Sequence, residues 1–280
     1  MVVIHLKLSE EHQFLFETTV EAKVSDTVRA LADIHNLRLR IQRLKLEGEE
    51  LAKYGPAKHP EKEGLDEYQE SFGYGKVEKG AHYASDPTGR RNGNACDPKV
   101  AETLLRALAD AEAAASKSQV AMKVKLTERM LLDKVDAIRG AVMMCYPMGL
   151  PEWDNVRLAL EASEDLSGTQ WSKEVLDPST SSLWWAGKQM LPENALWQHV
   201  GKNEKTKVTA KIQGKGSGAP AREPVVDAET QKAMMAYYHK KQEEQRALVE
   251  DEDDAYTHSS WANPKALKTH FSGVGNIKFR

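Results

Sequence analysis

Cysteine is scarce in this chain: Cys96 and Cys145 are the two among 280 residues, and they lack CxxC spacing. That excludes a disulfide-stapled scaffold and fits a reducing, cytosolic setting. A long apolar run is also missing. The longest mostly apolar stretch, Ala141 to Leu150, is half of the ~20 residues a membrane-spanning helix needs. The opening MVVIHLKLSEEH has no basic region followed by an apolar segment, and no Asn-x-Ser/Thr sequon occurs, so neither a secretory leader nor membrane insertion is expected. Charge of one sign is absent too. Thirty-nine basic residues face 42 acidic ones, a formal net charge of -3, and no global field draws the chain onto nucleic acid. With 40% hydrophobic and 29% charged residues, the chain can still bury a real core.

The usual signatures of chemistry are missing as well. Nine histidines are scattered without an HxxxH or HExxH pair, so no metal centre is expected. Gly214, Gly216 and Gly218 follow a strand-like segment, but Ala219-Pro220 stands where a phosphate-binding helix would begin, and no GxxxxGK[ST] exists. Gly-x-Ser-x-Gly does not occur either. Cys145 sits in an apolar run, where a thiol is normally buried and its pKa raised. The expectation is a non-enzymatic protein without cofactor.

The patterns that are present predict an α+β chain. Val2, Ile4, Leu6 and Leu8 alternate, and Phe14, Phe16 and Thr18 repeat that period after a polar break, which reads as a β-hairpin. Ser25 and Asp26 supply N-cap oxygens ahead of a helical stripe of Val28, Leu31, Ala32 and His35, and a short strand follows over Leu37 to Ile41. The order strand, strand, helix, strand predicts a ubiquitin-like β-grasp unit over 1–56, closed by a short helix through Leu44 and Leu51 to Tyr54-Gly55-Pro56. Residues 57–96 read as a loop-rich, poorly packed connector with aromatic anchors Tyr68, Phe72, Tyr74 and Tyr83. Residues 97–140 read as a helical hairpin, its helices capped by Asp97 before Pro98 and by Thr127.

Residues 141–280 read as a mixed α+β unit. AVMMCYPMGLP predicts a buried strand ending in a turn, and Ser179 to Ser182 cap a helix carrying Leu183, Trp184, Trp185 and Met190. Val208, Ala210 and Ile212 alternate with Lys207, Thr209 and Lys211, a strand with one wet, basic face. Asp227 caps a last helix that runs to about Val249 and frays at the acidic run Glu250 to Asp254.

What remains for function is surface. Lys202, Lys205, Lys207, Lys211, Lys215 and Arg222 face one acid, Glu204, and suit an acidic partner or an ordinary solvated face. Trp184 and Trp185, about 100° apart on a helix, suggest one core residue and one interface anchor. Met234, Met235, Tyr237 and Tyr238 would pack the first half of the last helix, leaving its polar second half, with Asp253, Asp254 and Tyr256, to project and Trp261 to anchor the tail.

Longer strings carry a resemblance. GRRNG (89–93), RGAVMMCYPMGLP (139–151), EDLSGTQ (164–170), LWWAGK (183–188), VGKNEKTKVTAKIQ (200–213), GAPAREP (218–224), YYHKKQEE (237–244) and DDAY (253–256) occur in the order seen in the Kurly family of cilia- and flagella-associated proteins. The closing Trp261, Leu267, His270, Phe271 and Gly273 match too, and the likeness is weakest over 54–83 and 171–180. The resemblance implies a non-enzymatic assembly factor or adaptor for motile cilia. It would act in cytoplasmic assembly of axonemal dynein arms, outer arms above all, through dynein-arm subunits, assembly factors or co-chaperones, with basal-body association and a link to planar cell polarity. The alternative is a structural component of the axoneme or basal body that meets acidic tubulin through Lys202 to Lys215.

Overall fold

The computed structural model describes residues 1–63, 79–214, 218–220 and 228–258. Contacts divide the chain into two compact units, Met1–Pro220 and Ala221–Arg280. In the first unit, β1 (Val2–Lys7) and β2 (Gln13–Thr18) form the expected antiparallel hairpin, with Val2, Ile4, Leu6 and Phe14 buried. Helix α1 then runs unbroken over Val24–Tyr54. The strand expected at Leu37–Ile41 is therefore helix interior, and the separate short helix beyond it is the same helix. Arg38 explains the error: it is 1% exposed, its Nε donates to the Ala115 carbonyl at 2.8 Å, and its guanidinium lies 5.2 Å from the Phe14 ring centroid. LRLRI looked half-wet because its arginines were counted as solvated, whereas this helix is covered on several sides. Lys23, not Ser25 or Asp26, stands at the N-cap, and it makes no side-chain cap bond.

The sheet is completed from far along the chain. Strands β3 (Ser182–Trp185), β4 (Lys188–Gln189) and β5 (Lys207–Gln213) give the order β2-β1-β5-β3-β4, with β5 parallel to β1 and antiparallel to β3. This is the expected α+β class, a mixed five-stranded sheet with a helical layer inserted between α1 and β3. Residues 182–189, expected as helix, are instead the β3–β4 hairpin. Ala186 and Gly187, with φ of 49° and 77°, make the two-residue turn, and a strand suits the tryptophans' large, half-buried rings.

The inserted layer holds α2 (Pro98–Ala115), α3 (Ser118–Ala121), α4 (Glu128–Cys145) and α5 (Asn155–Glu161), and α6 (Leu196–Val200) precedes β5. Both expected caps are present: the Asp97 side chain accepts from Lys99 N and Thr127 Oγ1 accepts from Met130 N. Helices α2, α4 and α5 pack on α1. Gly48 of α1 leaves room for α2, since an added Cβ would lie 2.8 Å from Leu108 Cδ1. Helix α4 passes through Gly140 to Cys145, so the expected buried strand is its last turn, and Met143, Met144 and Met148 are exposed. Ala and Met favour helix, and Pro147 follows its end.

The described parts of the connector, 57–63 and 79–96, are better anchored than its composition suggested. Arg91, its side chain 3% exposed, donates to the carbonyls of Gly55 and Glu47 and pairs with Glu47 at 3.0 Å and Asp154 at 3.7 Å. Asp154 is fully buried, caps α5 by accepting from Val156 N, and also accepts from Ala57 N. Asp86 accepts the backbone N–H groups of Arg90 and Arg91. Gly55, at φ 79°, ends α1 where an added Cβ would sit 2.2 Å from the Asn94 carbonyl oxygen. Tyr83 is 37% exposed, while Tyr68, Phe72 and Tyr74 lie outside the described residues.

The second unit is described through helix α7 (Ala228–His258). It continues through the acidic run instead of fraying before it. The run, 250–254, lies short of the helix's end at His258. Met234, Met235, Tyr237 and Tyr238, expected to be packed, are 49–65% exposed. Asp227, the expected cap, lies outside the described residues.

Two outcomes follow. Replacing Arg91 by Met leaves Asp154 buried without its cation and should cost about 3–5 kcal/mol in urea unfolding. Arg90→Met, at a half-exposed neighbour, should cost less than about 1 kcal/mol. His35 is buried, and its Nε2 contacts the Glu174 carbonyl at 3.0 Å. Burial, aided by the nearby Arg38 and His12 charges, outweighs that bond and lowers its pKa to about 4. The unfolded chain takes up this proton below its ordinary pKa near 6.5 and the folded chain does not until about 4, so stability present above 6.5 is lost as the pH falls across that window. The urea midpoint should drop between pH 7 and 4.5 by up to about 3 kcal/mol of stability, and His35→Gln should flatten that dependence.

Candidate docking surface

The sheet's outer face follows from the period of β5. Val208, Ala210 and Ile212 are buried, which turns Lys207, Thr209 and Lys211 outward as expected. Register sets Lys207 beside Val3, Thr209 beside His5, and Lys211 beside Trp184. Trp184 is half-buried and donates from Nε1 to Ser182 Oγ at 3.1 Å. Trp185, paired with Ala210, packs against the core. On a strand the two rings take opposite faces, so Trp184 alone belongs to the outer surface, next to a lysine.

The basic stripe divides into parts. Lys202 and Lys205 lie in the turn before β5, where Asn203 Oδ1 accepts from Lys205 N at 3.0 Å. Both are exposed, and the Lys202 ammonium is 5.5 Å from the Trp197 ring centroid. Lys207 and Lys211 belong to the sheet, and Lys215 and Arg222 lie outside the described residues. Asp253, Asp254 and Tyr256 fall within α7, and Trp261 lies outside the described residues. The sequence reading missed the corner after α3, which brings Lys125 into a parallel bridge with Leu15 and into an ion pair with Glu17 at 2.5 Å. No local signal marks a contact between positions so far apart in the chain.

Cys145 is half-buried at the end of α4, not inside a strand, and its thiol donates to the Val100 carbonyl at 3.6 Å. Burial, with the neighbouring Cys96 thiol acting in the same direction, pushes its pKa up to about 12. A thiol held so far from ionisation is a poor nucleophile. Native Cys145 should react with iodoacetamide at pH 8 at least about tenfold more slowly than in urea-unfolded chain, and Cys145→Ser should keep its circular dichroism. Equal native and unfolded rates at this thiol would contradict its burial.

These elements define an α+β protein with a mixed five-stranded sheet, an inserted helical layer against α1, and a sheet face carrying lysines. The family model of cilia- and flagella-associated protein 298 matches residues 181–277. Over its whole length the chain is 44% identical to cilia- and flagella-associated protein 298 of Homo sapiens, 41% to that of Danio rerio and 38% to that of Drosophila melanogaster, covering 99% of each. The chain belongs to the cilia- and flagella-associated protein 298 family. No solved structure matches it.

Proposed function

We propose that the chain is a non-enzymatic adaptor of motile cilia and flagella, acting in the cytoplasm and at the basal body in the assembly of axonemal dynein arms, outer arms above all. One observation carries the reading: similarity to proteins named for cilia and flagella runs along the entire chain. The geometry agrees with a recognition role. The mixed sheet, read as a β-grasp of the ubiquitin-like kind, offers a face for docking, and Lys207 and Trp184 supply charge and apolar area there. The exposed Met234, Tyr237 and Tyr238 of α7 offer a second surface. The proposed partners are dynein-arm subunits, assembly factors or co-chaperones. Planar cell polarity would be affected through the same assembly.

The test is depletion and rescue in multiciliated cells. Depletion should remove outer dynein arms in axonemal cross-sections and stop beating, and the wild-type chain should restore both while fractionating mostly with soluble cytoplasm. A chain retained on salt-washed axonemes would instead be a structural component, its lysines set against acidic tubulin. Deleting 250–280 should leave the circular dichroism of the first unit intact and abolish rescue. Full rescue by that truncation would make the segment dispensable.

A further inference from the structure

A groove of about 470 Å³ lies on the outer sheet face, between β1, β2 and β5 on one side and the corner after α3 on the other. Val3, Leu15 and Val120, all half-buried, give it an apolar lining. Its rim carries Lys123, Lys125 and Lys207, all exposed. Lys125 is held by Glu17, whereas Lys123 and Lys207 make no ion pair among the described residues. The corner is fixed: Leu126 is 1% exposed and its N–H donates to the Leu15 carbonyl at 2.8 Å, which pins this wall to the edge of the sheet.

Lys123 occupies a costly position. Its φ is 59°, in the left-handed region where Gly or Asn normally ends a helix, and its N–H donates to the Val120 carbonyl at 3.0 Å. A lysine there costs stability that glycine would not, and in exchange it adds a cation to the rim that Lys207 also lines. The lining offers no aromatic platform for stacking bases. Its one ring, His5, is held by Gln13 at 3.0 Å. Aliphatic walls under an excess of positive charge match an aliphatic side chain flanked by carboxylates.

We propose that this groove docks an acidic segment of a partner protein, which lays one or two aliphatic side chains against Val3, Leu15 and Val120 and sets carboxylates beside Lys123 and Lys207. The assignment deepens the docking role proposed above and rests on it. The apolar contact supplies dwell time, and the lysines supply orientation and faster encounter at low salt.

Fluorescence anisotropy on the full chain tests it, with a labelled synthetic peptide that has Leu-Val at its centre and two acidic residues on each side. Saturable binding should weaken with added salt. It should fall at least about tenfold for Lys123→Glu/Lys207→Glu, and by a similar factor when the peptide's Leu-Val is replaced by Ser-Ser. Lys123→Gly should keep or raise the melting temperature while weakening binding severalfold, which separates the residue's contact role from its cost to the fold. Lys202→Glu/Lys205→Glu should leave binding within about twofold, because those lysines stand outside the groove. The proposal is overturned by absence of saturable binding, by binding indifferent to the Lys123 and Lys207 changes, or by equal affinity for the Ser-Ser peptide. Tighter binding of a single-stranded oligonucleotide or anionic vesicles to the same lysines would also overturn it. If no peptide binds and Lys123→Glu/Lys207→Glu still fails to rescue beating, the acidic-segment assignment falls while the ciliary role stands.

Discussion

One buried guanidinium ties the connector to the end of α1 and to the start of α5. Arg91 reaches the end of α1 through the Glu47 and Gly55 carbonyls and the start of α5 through Asp154, while its own N–H is held by Asp86. Fully buried Asp154 faces this guanidinium, which Glu47 also pairs at the exposed side, so removing the cation leaves a buried carboxylate uncompensated. The arrangement converts the described end of the connector, 79–96, into a clamp on the helical layer. Because Asp154 also caps α5, the strength of that cap is tied to the seating of a loop about sixty residues upstream.

The clamp matters to the sheet because of how the insertion is arranged. Helix α1 is shared, with Phe14 of the sheet meeting Arg38 on one side and α2, α4 and α5 packed elsewhere. The helical layer in turn sends its corner at Lys125 and Leu126 back to β2, covering the edge strand that an isolated hairpin would leave open. Sheet and insertion therefore stabilise each other, and the outer face bearing Lys207 and Trp184 is stiff because both sides of the shared helix are filled.

Much of the local structure was legible in the sequence, for reasons visible residue by residue. The period of β1 and β5 was readable because buried and less buried residues alternate along them, and Asp97-Pro98 and Thr127 were readable because capping is chemistry between near neighbours. LRLRI failed because Arg38 and Arg40 are spent inside, the latter on the carbonyls of Ala159 and Leu160. LWWAGK failed because alanine is an unusual first residue for a turn that needs positive φ at both positions. The docking face was half legible. Lys207 and Lys211 announced themselves by alternation, whereas the wall made by Val120 and Lys123 depends on a pairing that no window of sequence contains.

The parallel pairing of β1 with β5 joins Val3 to Lys207, so the first strand made is completed by nearly the last one of its unit. At a synthesis rate of ~5–20 residues per second, roughly 10–40 seconds separate their appearance. Throughout that interval β1 has β2 on one side and an unsatisfied row of peptide groups on the other, the kind of edge that recruits a second chain. Premature termination upstream of Gln213 consequently does more than shorten the product. It releases a polypeptide whose central strand position is vacant, turning a loss of sequence into an aggregation hazard.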